Sequence, residues 1–167
     1  LIAQAGARMA GGCCGTTPAH IKAMKEALNP ISPLPVTEKN TSLISSYSHC
    51  LSFDGPPVLI GERLNPTGKP KLKAALRENN ISYILEEAVK QQEAGAMALD
   101  VNVGLPEIDE AGVLGEIIPR IQAVSDLPLQ IDTSNYEAME RAMRVYNGKP
   151  MLNSVCGKKE SMDKIFP

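Results

Sequence analysis

Four short apolar runs, each followed closely by polar residues, constrain the fold of this chain more than any other feature. The runs cover residues 58–60, 97–99, 127–131 and 151–152, and the segments between them have the apolar spacing of helices. Short apolar strands that alternate with helices are typical of βα units in a parallel sheet, because such strands are covered on both faces. We therefore predict an α/β fold.

The polar residues that end these runs indicate where function lies. In parallel sheets of βα units, ligands bind at the carboxyl ends of the strands. A single aspartate there is as often a helix cap as a ligand residue, but here several carboxylates and amides are expected to converge. Together they suit a flat heterocycle with adjacent donors and acceptors, such as a pterin. The candidate pterin-binding residues are Asn65, Asp100, Asn102, Asp132 and Asn153.

Composition argues against several other functions. The 167 residues carry a net charge of -2 and include no Trp and only two Phe. A basic nucleic-acid or membrane surface and an aromatic platform for bases are therefore not favoured. With no long apolar run and no signal-peptide pattern near the start, a cytoplasmic location is the expectation.

Cysteine usage suggests a second candidate site. Cys13 and Cys14 are adjacent and flanked by Gly11, Gly12 and Gly15. Neighbouring thiolates reach one metal only where the backbone is irregular, and glycine permits this. The pair is therefore either a metal site or two small buried hydrophobic residues in a tight turn. His49 with Cys50 is a weaker candidate for the remaining ligands, because the pair has no recognised zinc spacing.

The amino-terminal part predicts a simple succession of elements. Residues 1–5 are expected to form the last turn of a helix, and residues 7–10 a short strand. Thr17 is a plausible N-cap with Pro18 at the first helical position. Residues 29–57 include five prolines and a Ser/Thr-rich centre, which is typical of an interdomain linker.

Two details of the later helices can be predicted from single residues. Asp109 should cap a helix that Pro119 kinks or breaks, because proline removes a helix hydrogen bond. Ser134 and Glu137 have the spacing of a capping box for the next helix. The residues of that helix predicted to face the sheet are Tyr136, Met139, Met143 and Tyr146.

Several of these motifs resemble one family. Gly11-Gly-Cys-Cys-Gly-Thr-Thr-Pro18 resembles the end of the homocysteine-binding barrel of the cobalamin-dependent methionine synthase family. Four further segments resemble the first half of that family's methyltetrahydrofolate-binding barrel, a relative of dihydropteroate synthase. They are Val58-Leu-Ile-Gly-Glu-Arg-Leu-Asn-Pro-Thr-Gly68, Leu99-Asp-Val-Asn-Val103, Gln130-Ile-Asp-Thr-Ser134 and Leu152-Asn-Ser154.

The resemblance implies a particular domain organisation. Residues 1–28 would be the last βα unit of one (β/α)₈ barrel, residues 29–57 a linker, and residues 58–167 the first four βα units of a second barrel. A complete barrel takes about 250 residues, and the chain starts with Leu1 in place of an initiator Met. The expectation is a fragment that is inactive by itself.

The resemblance also implies a reaction. In that family a methyl group passes from 5-methyltetrahydrofolate, through cobalamin on a separate cobalamin-binding domain, to zinc-bound homocysteine. Cys13 and Cys14 would be zinc ligands, with a third cysteine before Leu1. Asp132 and Asn153 would hold the pterin, while Asn65, Asp100 and Asn102 would line the same mouth.

Three alternatives remain open. One is a dihydropteroate synthase, although Asp100-Val-Asn-Val-Gly104 does not match its loop after the second strand, and such an enzyme has no use for the cysteine pair. Another is a different corrinoid- or pterin-dependent methyltransferase. The last is a module that only binds a pterin or only builds structure.

Overall fold

The computed structural model describes residues 3–4, 6–35, 38 and 40–166. Contacts between residues divide the chain into two compact units, Leu1–Asn40 and Thr41–Pro167. The domain limits predicted from the sequence stay a prediction.

The first unit contains one helix. α1 (Pro18–Leu28) starts after its N-cap residue Thr17, as predicted, and buries none of its residues. The strand predicted for residues 7–10 is wrong: these residues are irregular and exposed. A strand requires a neighbour to pair with, and no strand forms elsewhere among the described residues of this unit. Of the helical turn predicted at residues 1–5, Leu1, Ile2 and Ala5 lie outside the described residues, and Ala3 and Gln4 form a turn.

The second unit is built on a four-stranded sheet. Its strands are adjacent in chain order and all parallel. They are β3 (Ile60–Leu64), β4 (Ala98–Val101), β5 (Leu129–Asp132) and β6 (Met151–Asn153). The predicted α/β fold with a parallel sheet is confirmed.

Helices connect and cover these strands. They are α2 (Pro70–Arg77), α3 (Ile81–Glu93), α4 (Glu110–Val124), α5 (Tyr136–Val145) and α6 (Lys159–Ile165). The core lies between sheet and helices, where Leu99, Val101 and Ile131 pack in one cluster with Leu114 and Ile118 of α4. Among the described residues no helix has the length and apolar character needed to cross a membrane.

All four strands end later than their apolar runs suggest, and β3, β4 and β5 also begin later. β3 starts at Ile60 and includes Glu62. Asp100, Asp132 and Asn153 are strand residues rather than the first residues after a strand. The reason is that successive strand residues alternate between faces, so a polar residue can continue a strand if its side chain leaves the apolar face.

Several helix details differ from expectation. The prediction was a kink or a break at Pro119; α4 continues through this residue, so a break is wrong, and a kink stays a prediction. Its cap is as predicted, because Asp109 accepts a hydrogen bond from Gly112 N. Asn135, not Ser134, caps α5, since its Oδ1 accepts from Glu137 N and Ala138 N. The buried residues of α5 are Ala138, Met139 and Ala142, whereas Tyr136 and Met143 are exposed.

The segment predicted as a linker contains an antiparallel hairpin, β1 (Leu43–Ser45) and β2 (Cys50–Ser52). Ser45 N donates to Lys149 O at 2.8 Å, just before β6. Tyr146 Oη donates to Ser45 O at 2.8 Å and accepts from Leu129 N, at the start of β5. The hairpin therefore lies against the amino ends of β5 and β6, opposite the polar strand ends.

Candidate functional site

Asp132 is the centre of a hydrogen-bonded group at the carboxyl ends of the strands. Its Oδ2 accepts from Asn102 Nδ2 at 3.0 Å and from Asn65 Nδ2 at 3.2 Å. These three side chains come from positions after β3, after β4 and at the end of β5. The structure thus brings together residues that are 30 and 67 positions apart in sequence.

The two asparagine amides are fixed in orientation. Asn65 Oδ1 accepts from Thr67 N at 3.0 Å, and Asn102 Oδ1 accepts from Gly104 N at 2.8 Å. Each amide therefore forms a local turn through its oxygen and points its NH₂ group at Asp132. The result is a carboxylate that is positioned from two sides before any ligand arrives.

Groups able to meet a ligand remain at this position. Oδ1 of Asp132 accepts no hydrogen bond from the described residues, and the side chain is partly exposed. Asn153 is the partner of Asp132 in the parallel register of β5 and β6, and Thr133 N donates to Asn153 O at 2.8 Å. The Asn153 side chain is also partly exposed. We call Asn65, Asp100, Asn102, Asp132 and Asn153 the strand-end site.

Asp100 forms the buried floor of the strand-end site. It is 3% exposed, and its Oδ1 accepts from Gln130 Nε2 at 2.6 Å. Burial raises the pKa of Asp100 above its ordinary value of 3.8, and the charges of Asp132 and Glu62 act in the same direction, while hydrogen bonds from Gln130 and Asn65 oppose the rise. Asp100 therefore holds a proton more readily than an exposed aspartate does.

Sequence reasoning missed two supporting groups. Gln130 precedes Asp132 by two residues in β5, so strand alternation places both side chains on the same face of the sheet. This two-residue spacing within a strand could have identified Gln130 as a supporting residue. Thr133 is 3% exposed and donates its hydroxyl to Glu110 Oε1 at 2.6 Å. This bond connects the end of β5 with the first turn of α4, and no sequence pattern predicts it.

The cysteine loop of the first unit has a different character. Cys13 and Cys14 are free and exposed, so they are not buried hydrophobic residues. Thr16 closes the loop, because its N donates to Cys13 O at 3.0 Å and its Oγ1 accepts from Cys13 N at 2.9 Å. No cluster of three or more His, Cys, Asp or Glu suited to a metal forms within the described residues. Two thiols supply half of a four-ligand zinc shell, so the residues described do not complete a zinc site.

The match to a known family shows the class of protein. The family described as Pterin binding enzyme matches residues 61–166, which is more than half of the chain. This chain belongs to the pterin-binding enzyme family. A second family, Homocysteine S-methyltransferase, matches residues 1–28.

A curated relative matches most of this chain. The methionine synthase of Mycobacterium tuberculosis is 29% identical over 156 residues, which cover 92% of this chain. The match spans 13% of the length of that relative. The resemblance to methionine synthase stated from the motifs is therefore confirmed.

Proposed function

We propose that the strand-end site binds the pterin ring of a folate. One observation carries the proposal: Asp132 is oriented by the amides of Asn65 and Asn102 while its Oδ1 stays available. The amino group and ring N–H of a pterin are adjacent donors, and an ionised carboxylate accepts from both. Asn153, opposite Asp132 in the register, has an amide that can both donate and accept.

We further propose that the chain takes part in methyl transfer from 5-methyltetrahydrofolate to homocysteine. The matches to Pterin binding enzyme and Homocysteine S-methyltransferase support the two substrates, and the methionine synthase relative supports their combination. Cobalamin, held by a separate domain, would supply the nucleophile that accepts the methyl group. The residues of this chain would bind and orient the folate, within a partial (β/α)₈ barrel.

The homocysteine side of the proposal depends on the first unit. Cys13 and Cys14 are exposed in a glycine-flanked loop, which suits thiolate ligands of zinc. They stay predicted ligands of an incomplete set.

Titration with 6-methyltetrahydropterin, which carries the ring alone, tests the pterin proposal in the full chain. Asp132→Asn keeps the shape of the side chain but replaces an acceptor oxygen with a donor NH₂. We expect a loss of about 1–3 kcal/mol in binding free energy, because an N–H donor of the bound pterin is left buried without an acceptor. This corresponds to roughly 5- to 150-fold in Kd.

Asp163→Asn is the matched control. It makes the same change on an exposed residue of α6 and should leave Kd unchanged. Thermal melts of both variants report whether the fold is intact. Equal affinity of wild type and a folded Asp132→Asn variant would show that Asp132 does not bind the pterin.

A further inference from the structure

β3 contains an irregularity just before it reaches the strand-end site. In the parallel register of β3 and β4, Gly61 lies opposite Leu99 and Leu64 lies opposite Val101. Between these pairs, two residues of β3 lie against one residue of β4, which is the arrangement of a β-bulge. We call residues 61–64 the β3 bulge. Bulges are frequent beside functional sites, where they change the direction of a side chain.

One helix side chain reaches into the β3 bulge. Gln91, in α3, is 6% exposed, and its Oε1 accepts from Arg63 N at 2.7 Å. Its Nε2 donates to Glu87 O at 3.2 Å, one turn earlier in α3. The extra residue of a bulge is left without a partner in the ladder, so Gln91 supplies the acceptor that the Arg63 amide requires. Both polar ends of the Gln91 side chain are thereby fixed.

Gly61 leaves room for this contact. A Cβ atom at residue 61 would lie 2.7 Å from Gln91 Oε1 and 3.2 Å from Ala96 Cβ. Favourable separations between non-bonded heavy atoms are about 3.5–4.0 Å, so a side chain at this position would displace the Gln91 amide. The absence of a side chain at Gly61 therefore allows Gln91 to reach Arg63 N.

The β3 bulge sets which residues of β3 reach the strand-end site. Without the extra residue, Leu64 would lie one position further along β4, and a shift of one residue moves a side chain to the other face of a sheet. In the observed register Leu64 is 2% exposed in the core, and its O accepts from Asn102 N at 3.0 Å. Asn65 follows and donates from Nδ2 to Asp132 Oδ2 at 3.2 Å.

We propose that Gln91 is a positioning residue for the strand-end site: by holding the β3 bulge, it sets where the Asn65 amide meets Asp132. This inference rests on the proposed function, because the site that Gln91 supports is the proposed pterin site. Gln91 acts through the backbone of β3 and not by contact with a ligand.

The test compares Gln91→Met with wild type in the full chain. Methionine has a similar length but no amide oxygen, so Arg63 N loses its acceptor. Affinity for 6-methyltetrahydropterin should fall roughly three- to tenfold, because the unpaired amide is only partly buried. In ¹⁵N–¹H spectra of the free chain, the NH₂ signal of Asn65 should also move. Gln91→Glu keeps an acceptor oxygen and should restore most of the affinity and the Asn65 signal.

Gln92→Met is the matched control. Gln92 is the next residue of α3, and its Nε2 donates to Asp126 Oδ1 at 3.0 Å. The substitution is the same and also removes a side-chain hydrogen bond, but Asp126 precedes β5, at the amino end of the sheet. Thermal melts measure the stability that each variant loses. Gln92→Met should bind 6-methyltetrahydropterin as wild type does and leave the Asn65 signal in place.

The possible outcomes separate this inference from the proposed function. A wild-type chain that does not bind 6-methyltetrahydropterin overturns the pterin site and the inference that rests on it. If wild type binds, equal affinity of Gln91→Met, or an equal loss in Gln92→Met, overturns the positioning role while the pterin site stands. Should Gln91→Met fail to fold, Gly61→Ala carries the same expectations, because its Cβ would displace the Gln91 amide.

Discussion

The two units assemble their chemical groups in different ways. In the first unit, Cys13 and Cys14 are neighbours in sequence on an exposed loop, followed by a helix with no buried residue. In the second unit, the strand-end site draws on residues after or within four strands that rest on a shared core. A local motif is therefore easy to find but supplies only part of a ligand set, whereas the distributed site depends on the packing beneath it.

The largest expected effect is a loss of stability when a core residue of the second unit is truncated. Leu99 is fully buried in β4, directly beside Asp100. Leu99→Ala should lower the free energy of unfolding by about 2–5 kcal/mol, because it removes buried apolar contacts and leaves a cavity. Denaturant unfolding followed by circular dichroism measures the change.

Met24→Ala in α1 is the counterpart in the first unit. Met24 is only partly buried, so its truncation should cost clearly less than that of Leu99. If the two variants were equally destabilised, the first unit would be packed as tightly as the second, and the contrast would be wrong.

A smaller effect concerns the floor of the strand-end site. Because burial raises the pKa of Asp100 in the folded state, its contribution to stability is fully present below the ordinary value of 3.8 and is lost as pH rises through the raised pKa. Asp100→Asn carries no charge and retains an oxygen that can accept from Gln130. The stability of this variant relative to wild type should therefore increase between acid and neutral pH.

Thermal melts across that pH range check the sign. Asp163→Asn makes the same substitution at an exposed residue of α6 and serves again as the control. A constant difference between Asp100→Asn and wild type would mean that the Asp100 carboxyl titrates alike in the folded and unfolded chain.

The parallel sheet was predictable because its signal is repeated: apolar runs alternate with helical segments, and the core residues Leu99, Val101 and Ile131 belong to those runs. The strand limits were less predictable, since the polar residues Asp100 and Asp132 are still part of β4 and β5. The hairpin of β1 and β2 was not predicted, because its strands are only three residues long and lie in a proline-rich segment.

The candidate site, like the fold, was predictable only where the sequence repeats a pattern. Polar residues after apolar runs identified Asn65, Asn102 and Asp132, and the structure brings these side chains together. Their role in binding a pterin stays a prediction. The spacing of Gln130 from Asp132 in β5 could have identified Gln130 as a supporting residue. The bond of Thr133 with Glu110 is a tertiary contact between separate elements, and no local pattern encodes it.

Side-chain amide resonances in ¹⁵N–¹H spectra test the central claim most directly, because they report on individual asparagines. Addition of 6-methyltetrahydropterin should shift the NH₂ signals of Asn65 and Asn102, which contact Asp132, and that of Asn153. The signal of Asn147, before β6 at the opposite end of the sheet, should not move. Shifts at Asn147 with unchanged signals from Asn65 and Asn102 would contradict a pterin site at the carboxyl ends of the strands.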